Sequence, residues 1–410
     1  MRSAIVLGAG MAGLGTALHL QQRGWSVVLV DRGEPGRETS FGNAGILQAE
    51  AVEPYAMPRD RASLWAIARG RSNDVHYEAR YLPHHLGALA RYWWHSAPRR
   101  HAAASRAYAT LIAQAIPEHA ALIAAAGAGD LVRRGGFRVL YRERRALEAA
   151  AAEAERLRAA YGVRARILTP AELSAAEPAL RRAGEGAVHW EEPWSVRDPG
   201  ALAAAYAALF ARQGGVIARG EADSLAPSPR GWRVRTADGP VEAAAAVVAL
   251  GPWSPDVLRR FGYRIAMVRK RGYHRHWRSA RTLELPLFDA QHGTVLAPMA
   301  AGLRLTTGAE LAGPEAATEP VQLARAEAAA RDLLDLDGPR ENAPWSGTRP
   351  CLPGMLPMIG AAPRHPGLWF HFGHGHQGFT LGPTTGRLLA EIMSGETPLV
   401  PAAPFRPGRH

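Results

Sequence analysis

Six residues near the start of the chain, Gly8-Ala9-Gly10-Met11-Ala12-Gly13, have the types and spacing that let a backbone approach a pyrophosphate. Gly8 permits a tight turn, Gly10 leaves room for the phosphates, and Gly13 lets a helix pack closely on a strand. A helix that begins at Met11 and Ala12 turns its unpaired N–H groups toward that anion. Asp31, with Arg32 beside it, follows Gly13 by eighteen residues and can accept both hydroxyl hydrogens of an adenosine ribose. Glycines alone are a weak sign, and their surroundings decide. Ser3–Leu7 reads as a buried strand, Leu14, Ala17, Leu18 and Gln21 keep a helical period up to Gly24, and Trp25–Val30 reads as a second strand ending at Asp31. The pattern predicts a dinucleotide site and leaves NAD and FAD both open.

The rest of the chain must supply the elements that position this turn. Its 410 residues predict two or three domains at roughly 100–200 residues each. A composition 47% hydrophobic and 21% charged excludes disorder, collagen and coiled coil. The single cysteine, Cys351, excludes an internal disulfide, a cysteine-only zinc site and an iron–sulfur cluster. No uninterrupted apolar run reaches the roughly 18 residues of a membrane helix. Arg2 followed by apolar Ala4–Leu20 has the outline of a secretory signal, but cleavage there would destroy the glycine motif, so it reads as mature protein. A soluble, cytoplasmic protein is expected.

The formal charge is +12. Only Lys270 is lysine, the arginines are spread along the chain, and alanine-rich stretches sit beside them, so a biased composition accounts for most of the excess. Nucleic-acid binding is not expected. A weak attraction to an anionic membrane surface, at the inner face of the cytoplasmic membrane, is.

Further elements follow from local signals. Leu86–His95 and Ala104–Gly127 carry helical periods, Gly135–Tyr141 reads as a strand, and Trp93 and Trp94 are expected in a core or an interface. Asp198 is a predicted N-cap with Pro199 in the first turn of a helix ending at Gly214-Gly215. Val247–Leu250 is a buried strand running into a turn at Gly251-Pro252-Trp253. Arg271–His274 and Pro298–Leu305 read as two strands. Near the end, Phe370–Phe372 leads through glycines into a helix Thr384–Met393 closed by Gly395. His371, His374 and His376 suggest a metal site, but no carboxylate lies among them and their glycines make a floppy cage, so no metal is predicted.

The loop Glu38–Leu47, the turn at Gly251, the segment Gly347-Thr348-Arg349-Pro350 and the run Phe370–Gly382 together resemble the D-amino-acid dehydrogenase small-subunit family, whose relatives include glycine oxidase, sarcosine oxidase and D-amino-acid oxidase. The resemblance covers nearly the whole chain. It implies non-covalent FAD, with Ser40 near the pyrophosphate and Asn43, Ala44, Gly45, Ile46 and Leu47 along the isoalloxazine. It places Gly251 and Trp253 beside the cofactor and an adenine wall near Ala222. Gly375, Gln377, Gly378 and Thr380 bring backbone N–H groups and a helix end to the flavin pyrimidine. Sarcosine oxidases tether FAD through a cysteine that falls near Gly347 here, so Cys351 reads as a small buried hydrophobe.

The same resemblance makes Arg349 the carboxylate-binding residue, in keeping with its planar, permanently charged fork. The Pro-Asp that follows in relatives is Leu352-Pro353-Gly354 here. Tyr273 or His274 would line the pocket above the flavin. The implied reaction is oxidative deamination of a D-amino acid by hydride transfer from the α-carbon to flavin N5, with a quinone or O2 as acceptor; Arg271–His274 hint at a cyclic substrate such as D-proline or hydroxyproline. An NAD-dependent dehydrogenase and a non-catalytic FAD-holding subunit are the alternatives. The expected fold is α/β: a Rossmann-like FAD domain from residues 1–55, 190–257 and 345–410, and an α+β substrate domain with a mostly antiparallel sheet from 56–189 and 258–344.

Overall fold

A computed structural model describes residues 2–69, 73, 75–77, 79–311 and 320–408. Its first sheet has eight strands, in the order Gly239–Ala243, Gly231–Thr236, Val216–Ser228, Ser26–Asp31, Ser3–Leu7, Ala245–Val248, Leu368–Phe372 and Met358–Ala361. The strands from Val216–Ser228 to Leu368–Phe372 run parallel, and the edges are antiparallel. Ser3–Leu7 shows why. Ala4 and Val6 pack on the helix side with Leu14, Leu18, Phe210 and Leu388, while Ile5 and Leu7 pack on the other with Trp232, Val234 and Phe370. A strand apolar on both faces belongs inside a parallel sheet covered on both sides.

The second sheet has eleven strands and is mainly antiparallel. Its centre is the long strand Val268–Ser279, which pairs with Gly302–Thr306, Ala309–Leu311, Leu336–Pro339 and Trp345–Cys351. Three short strands, Ile46–Leu47, Trp194–Val196 and Val132–Arg134, form a third sheet.

Several local expectations hold to within a residue or two. Asp198 caps Pro199–Arg212, its carboxylate accepting the Ala201 N–H at 2.9 Å. Ser3–Leu7 is a strand, and the second strand is Ser26–Asp31. Others change for identifiable reasons. The expected helix Ala104–Gly127 is two helices, Pro98–Ile112 and Ala115–Ala126, because Pro117 has no N–H to donate to the Ala113 carbonyl. The expected strand Pro298–Leu305 is a hairpin, Thr294–Met299 and Gly302–Thr306, turning at Gly302 with φ +124°. Trp345–Cys351, expected with the third cofactor segment, lies in the second sheet. Trp93 and Trp94 are not in the core but exposed, at 42% and 55%.

The last helix begins earlier than expected, at Gly378, and runs to Ser394 through Pro383. Proline there cannot donate to the Phe379 carbonyl. His119 Nε2 donates to it instead, at 3.0 Å, while His119 Nδ1 accepts from the Tyr206 hydroxyl at 2.9 Å. Burial pushes the His119 pKa down to about 4, so the ring is neutral and holds the single N–H that this arrangement needs.

This helix packs on Met11–Gln21 through glycines. A Cβ on Gly15 would lie 2.5 Å from the Gly382 oxygen, and one on Gly386 would lie 2.4 Å from the Gly15 carbonyl carbon. Backbone meets backbone, and neither can yield. Gly386→Ala is expected to destabilise by about 1–3 kcal/mol, read as a lower urea midpoint at unchanged slope. Gly87→Ala is the control: it is helical, exposed and free of neighbours within 4 Å, so it should leave the midpoint unchanged or raise it.

Candidate active site

A cavity of about 1490 Å³ opens where the parallel strands end and the second sheet begins. It exceeds the roughly 300–1,000 Å³ of ordinary small-molecule sites, which leaves room for a dinucleotide and a substrate together. Gly8, Gly10, Met11, Ala12, Asp31, Arg32 and Ser40 line it. Asp31 fixes the turn, its two oxygens accepting the Ala9 N–H at 2.6 Å and the Gly33 N–H at 3.0 Å. Ser40 Oγ accepts the Met11 N–H at 3.0 Å. The N-cap of Met11–Gln21 is Gly10, which has no side chain, and no acid lies in the first turn, so the helix's positive end meets only the neutral Ser40 hydroxyl and faces the cavity.

Two glycines show that the turn is shaped around a ligand. A Cβ on Gly13 would lie 1.7 Å from the Gly8 oxygen, so Gly13 serves close packing and does not itself line the cavity. A Cβ on Gly10 would meet only Ser40 Oγ, at 3.4 Å. Nothing in the protein fills the space that Gly10 keeps clear. Ala222, Gly251 and Trp253 also line the cavity, and the Arg32 guanidinium stands 4.5 Å from the Trp253 ring.

Of the loop residues, Asn43, Ala44 and Ile46 line the cavity, while Gly45 and Leu47 face protein. Asn43 Oδ1 accepts the Gly45 N–H at 2.8 Å, and Arg304 Nη1 donates to the Phe41 and Asn43 carbonyls at 2.9 and 2.6 Å. Burial pushes Arg304 down to about 10. Gly375 and Gly378 line the cavity, but Gln377 and Thr380 work from behind it. Gln377 Nε2 donates to Gln48 Oε1 at 2.6 Å, and Thr380 Oγ1 accepts the Gln48 N–H at 3.3 Å.

Tyr273 lines the cavity, its hydroxyl donating to Glu310, which also pairs with Arg271 at 2.6 Å. His274 does not line it. It shares a strand face with Lys270 and Gly272, but Phe41 and Trp345 cover it, their rings 5.8 and 4.8 Å from its own. Burial, with the Arg304 charge, pushes its pKa down to about 2. His371 and His374 do border the cavity, but hydroxyls engage their rings: His371 Nδ1 is 2.7 Å from Thr16 Oγ1 and its Nε2 2.8 Å from Thr385 Oγ1, and His374 Nε2 lies 2.9 Å from Thr385 Oγ1. Among the described residues no cluster of histidine, cysteine and carboxylate suits a metal ion.

Arg349 lines the cavity with its guanidinium on two backbone carbonyls, Gly308 at 3.0 Å and Thr307 at 3.2 Å. Burial pushes its pKa below the usual value, and among the described residues no carboxylate pairs with it. Around it lie groups that the sequence reading did not assign. Lys270 is its cross-strand neighbour, Tyr55 packs edge-on against His376 at 4.9 Å, and Glu50 is buried with Oε1 accepting from Gln48 Nε2 at 2.6 Å. Glu50 Oε2 has no partner, and burial pushes the carboxyl up to about 7. The solitary lysine of an arginine-rich chain was the one available signal among these.

The family described as "DAO: FAD dependent oxidoreductase" matches residues 3–392. The chain belongs to this family. It is therefore an FAD-dependent oxidoreductase, and the expected α/β fold is the family's. Similar proteins include the D-amino-acid oxidase of Bradyrhizobium diazoefficiens, 32% identical, with 100% of this chain and 99% of the relative covered. A D-amino acid dehydrogenase of Paramagnetospirillum magneticum is 30% identical, with 95% and 94% covered. Among solved structures, glycine oxidase from Geobacillus kaustophilus has the same fold, with TM-score 0.77, 22% identity and both chains fully covered at 100%.

The space kept clear at Gly10 and the acid-free helix end fit an FAD pyrophosphate. Gly10→Val should fold, since a Cβ there meets no protein atom closer than Ser40 Oγ at 3.4 Å, yet purify without bound flavin. Absorbance of the purified variant, and release of FAD on acid precipitation, check this.

Proposed function

We propose that this chain oxidises D-amino acids, and Arg349 is the observation that carries the reading. A buried guanidinium held only by backbone carbonyls keeps charge and geometry for an external carboxylate. Gly8, Gly10, Met11, Ala12 and Ser40 would hold the FAD pyrophosphate, and Asp31, whose oxygens keep free lone pairs, the ribose. Asn43, Ala44, Ile46, Gly375 and Gly378 would border the flavin ring, and Arg32, Ala222, Gly251 and Trp253 the adenosine. Bound FAD supplies the two-electron acceptor for the hydrogen on the substrate α-carbon. Arg349 orients that carbon by gripping the carboxylate, and Tyr273, fixed by Glu310, forms part of the wall. The amine enters neutral, and the imine product hydrolyses in water. A division into cofactor and substrate domains accompanies this reading. Of Arg271–His274, only Gly272 and Tyr273 reach the cavity, and a cyclic amino acid such as D-proline belongs in the substrate panel on that footing.

Arg349→Met should retain FAD and lose roughly 2–5 kcal/mol of substrate interaction, a fall in kcat/KM of roughly 30- to several-thousand-fold. Arg349→Lys should recover only part, because a point charge lacks the two-pronged fork. A simple amine without a carboxylate should be a poor substrate for both wild type and Arg349→Met. Normal amino-acid oxidation by folded, yellow Arg349→Met would refute the assignment. Anaerobic bleaching of the flavin by substrate in the isolated chain would separate an enzyme from a passive FAD-holding subunit.

We also propose a peripheral contact with the inner face of the cytoplasmic membrane, with a quinone or O2 as electron acceptor. Trp65, Leu86, Trp93 and Trp94 are exposed, and Arg69, Arg59 and Arg100 stand 4.4, 3.6 and 3.7 Å over the rings of Trp65, Trp93 and Trp94. Aromatic rings paired with cations suit an anionic headgroup layer. The helical stretch 98–126 is apolar and long enough to cross a membrane, but its Tyr108, Leu111, Ile112, Leu122 and Ile123 lie in the core. Co-sedimentation with anionic vesicles should exceed that with neutral ones, weaken with salt, and fall in the Trp93→Ala/Trp94→Ala double variant. Equal recovery with both vesicle types would refute the contact.

A further inference from the structure

Lys270 has no task in the reaction as derived so far. It is the only lysine in the chain, it lines the cavity, and it lies directly opposite Arg349 on the neighbouring antiparallel strand. Residues paired this way point to the same face, with Cβ atoms roughly 4.5–5.5 Å apart. Its ammonium lies 4.8 Å from the centre of the Tyr92 ring. Tyr92 is itself fixed, its hydroxyl donating to the Tyr55 carbonyl. Among the described residues no carboxylate pairs with Lys270 and no oxygen accepts from it.

The nearby acids are committed elsewhere. Glu310 holds Arg271 and Tyr273, and Glu53 holds Arg156 and Tyr161. Glu50 is bonded to Gln48, and burial draws it toward the neutral form. His376 feels both cations, and they and its burial hold it neutral. Two positive charges therefore face one chamber, and among the described residues no carboxylate bonds to either. A neutral amino acid brings one carboxylate and leaves the second cation without an anionic partner. A substrate with two carboxylates matches both.

We propose that Lys270 selects amino acids with an acidic side chain: Arg349 takes the α-carboxylate, and the Lys270 ammonium takes the second carboxylate. This rests on the D-amino-acid reading above and names its substrate class. The ammonium is a flexible point charge, suited to a side-chain carboxylate at more than one chain length.

The test compares kcat/KM of the FAD-loaded wild type for D-glutamate and D-aspartate with that for D-glutamine and D-asparagine, which have nearly the same shape and no side-chain charge. The acids should be preferred at least about 30-fold, as expected for a desolvated ion pair. In Lys270→Met the ratio should fall toward one, and in Lys270→Glu below one. Binding gives a second readout. Glutarate should perturb the flavin spectrum at lower concentration than butyrate in wild type, and the advantage should vanish in Lys270→Met. A wild-type ratio of one or less, with the amides oxidised, overturns the proposal and leaves the D-amino-acid reading standing; this comparison needs no variant. An unchanged ratio in Lys270→Met overturns it too, as does loss of FAD from that variant, which would assign Lys270 to the cofactor. Failure of any amino acid to bleach the wild-type flavin removes both readings together.

Discussion

A cation taken out of bulk water must be compensated, and the way Arg349 is compensated organises much of the second sheet. Its two bonds go to the Thr307 and Gly308 carbonyls, so the bend after Gly302–Thr306 has to stay where it is. Tyr273 and Thr307 hold that bend, the Thr307 N–H donating to the Tyr273 carbonyl and the Tyr273 N–H donating to Thr307 Oγ1, each at 3.0 Å. A side chain at Gly272 would push the guanidinium off these carbonyls, because a Cβ there would lie 2.4 Å from Arg349 Nη1. Backbone dipoles thus neutralise the charge in part and hold its geometry. The remaining electrostatic demand falls on whatever enters the cavity.

The other wall is held by neutral groups. His119, His371 and His374 are all driven below their usual pKa by burial, and each ring bonds to hydroxyls or carbonyls of neighbouring elements. They act as fixed polar connectors rather than acids or bases. The loop carrying Ser40 and Asn43 is held differently, by the charged side chain of Arg304. His276 accepts from Arg304 Nε at 3.0 Å and is tied in turn to Glu341. A rigid frame around an adaptable chamber is what precise positioning of a reacting carbon requires.

The parts legible in the sequence were those fixed by consecutive residues. The glycine turn, the acid at Asp31 and the cap at Asp198 each follow from chemistry within a few positions. Features set by distant partners were not legible. Pro383 marks a helix break unless His119, far away in sequence, supplies the missing donor. Tyr273 and His274 could not be separated until packing showed His274 covered by the distant rings of Phe41 and Trp345. Lys270 becomes notable only when the register with Trp345–Cys351 puts it beside Arg349. Glu50, in a stretch without periodicity, gave no signal at all.

The glycine seam between Met11–Gln21 and Gly378–Ser394 bears on how the protein is made. Met11–Gln21 leaves the ribosome more than about 350 residues before the helix it packs against. At about 5–20 residues per second, the N-terminal turn waits roughly 20–75 s for its partner. The parallel neighbours of Ser3–Leu7 come from Ser26–Asp31, available at once, and from Ala245–Val248, available much later. Through that interval the nascent chain holds an apolar strand and a small-residue helix face uncovered, a form suited to chaperone capture. The cofactor cradle closes only after Gly378–Ser394 has been made, and a chain truncated before residue 378 would lack the surface that completes it.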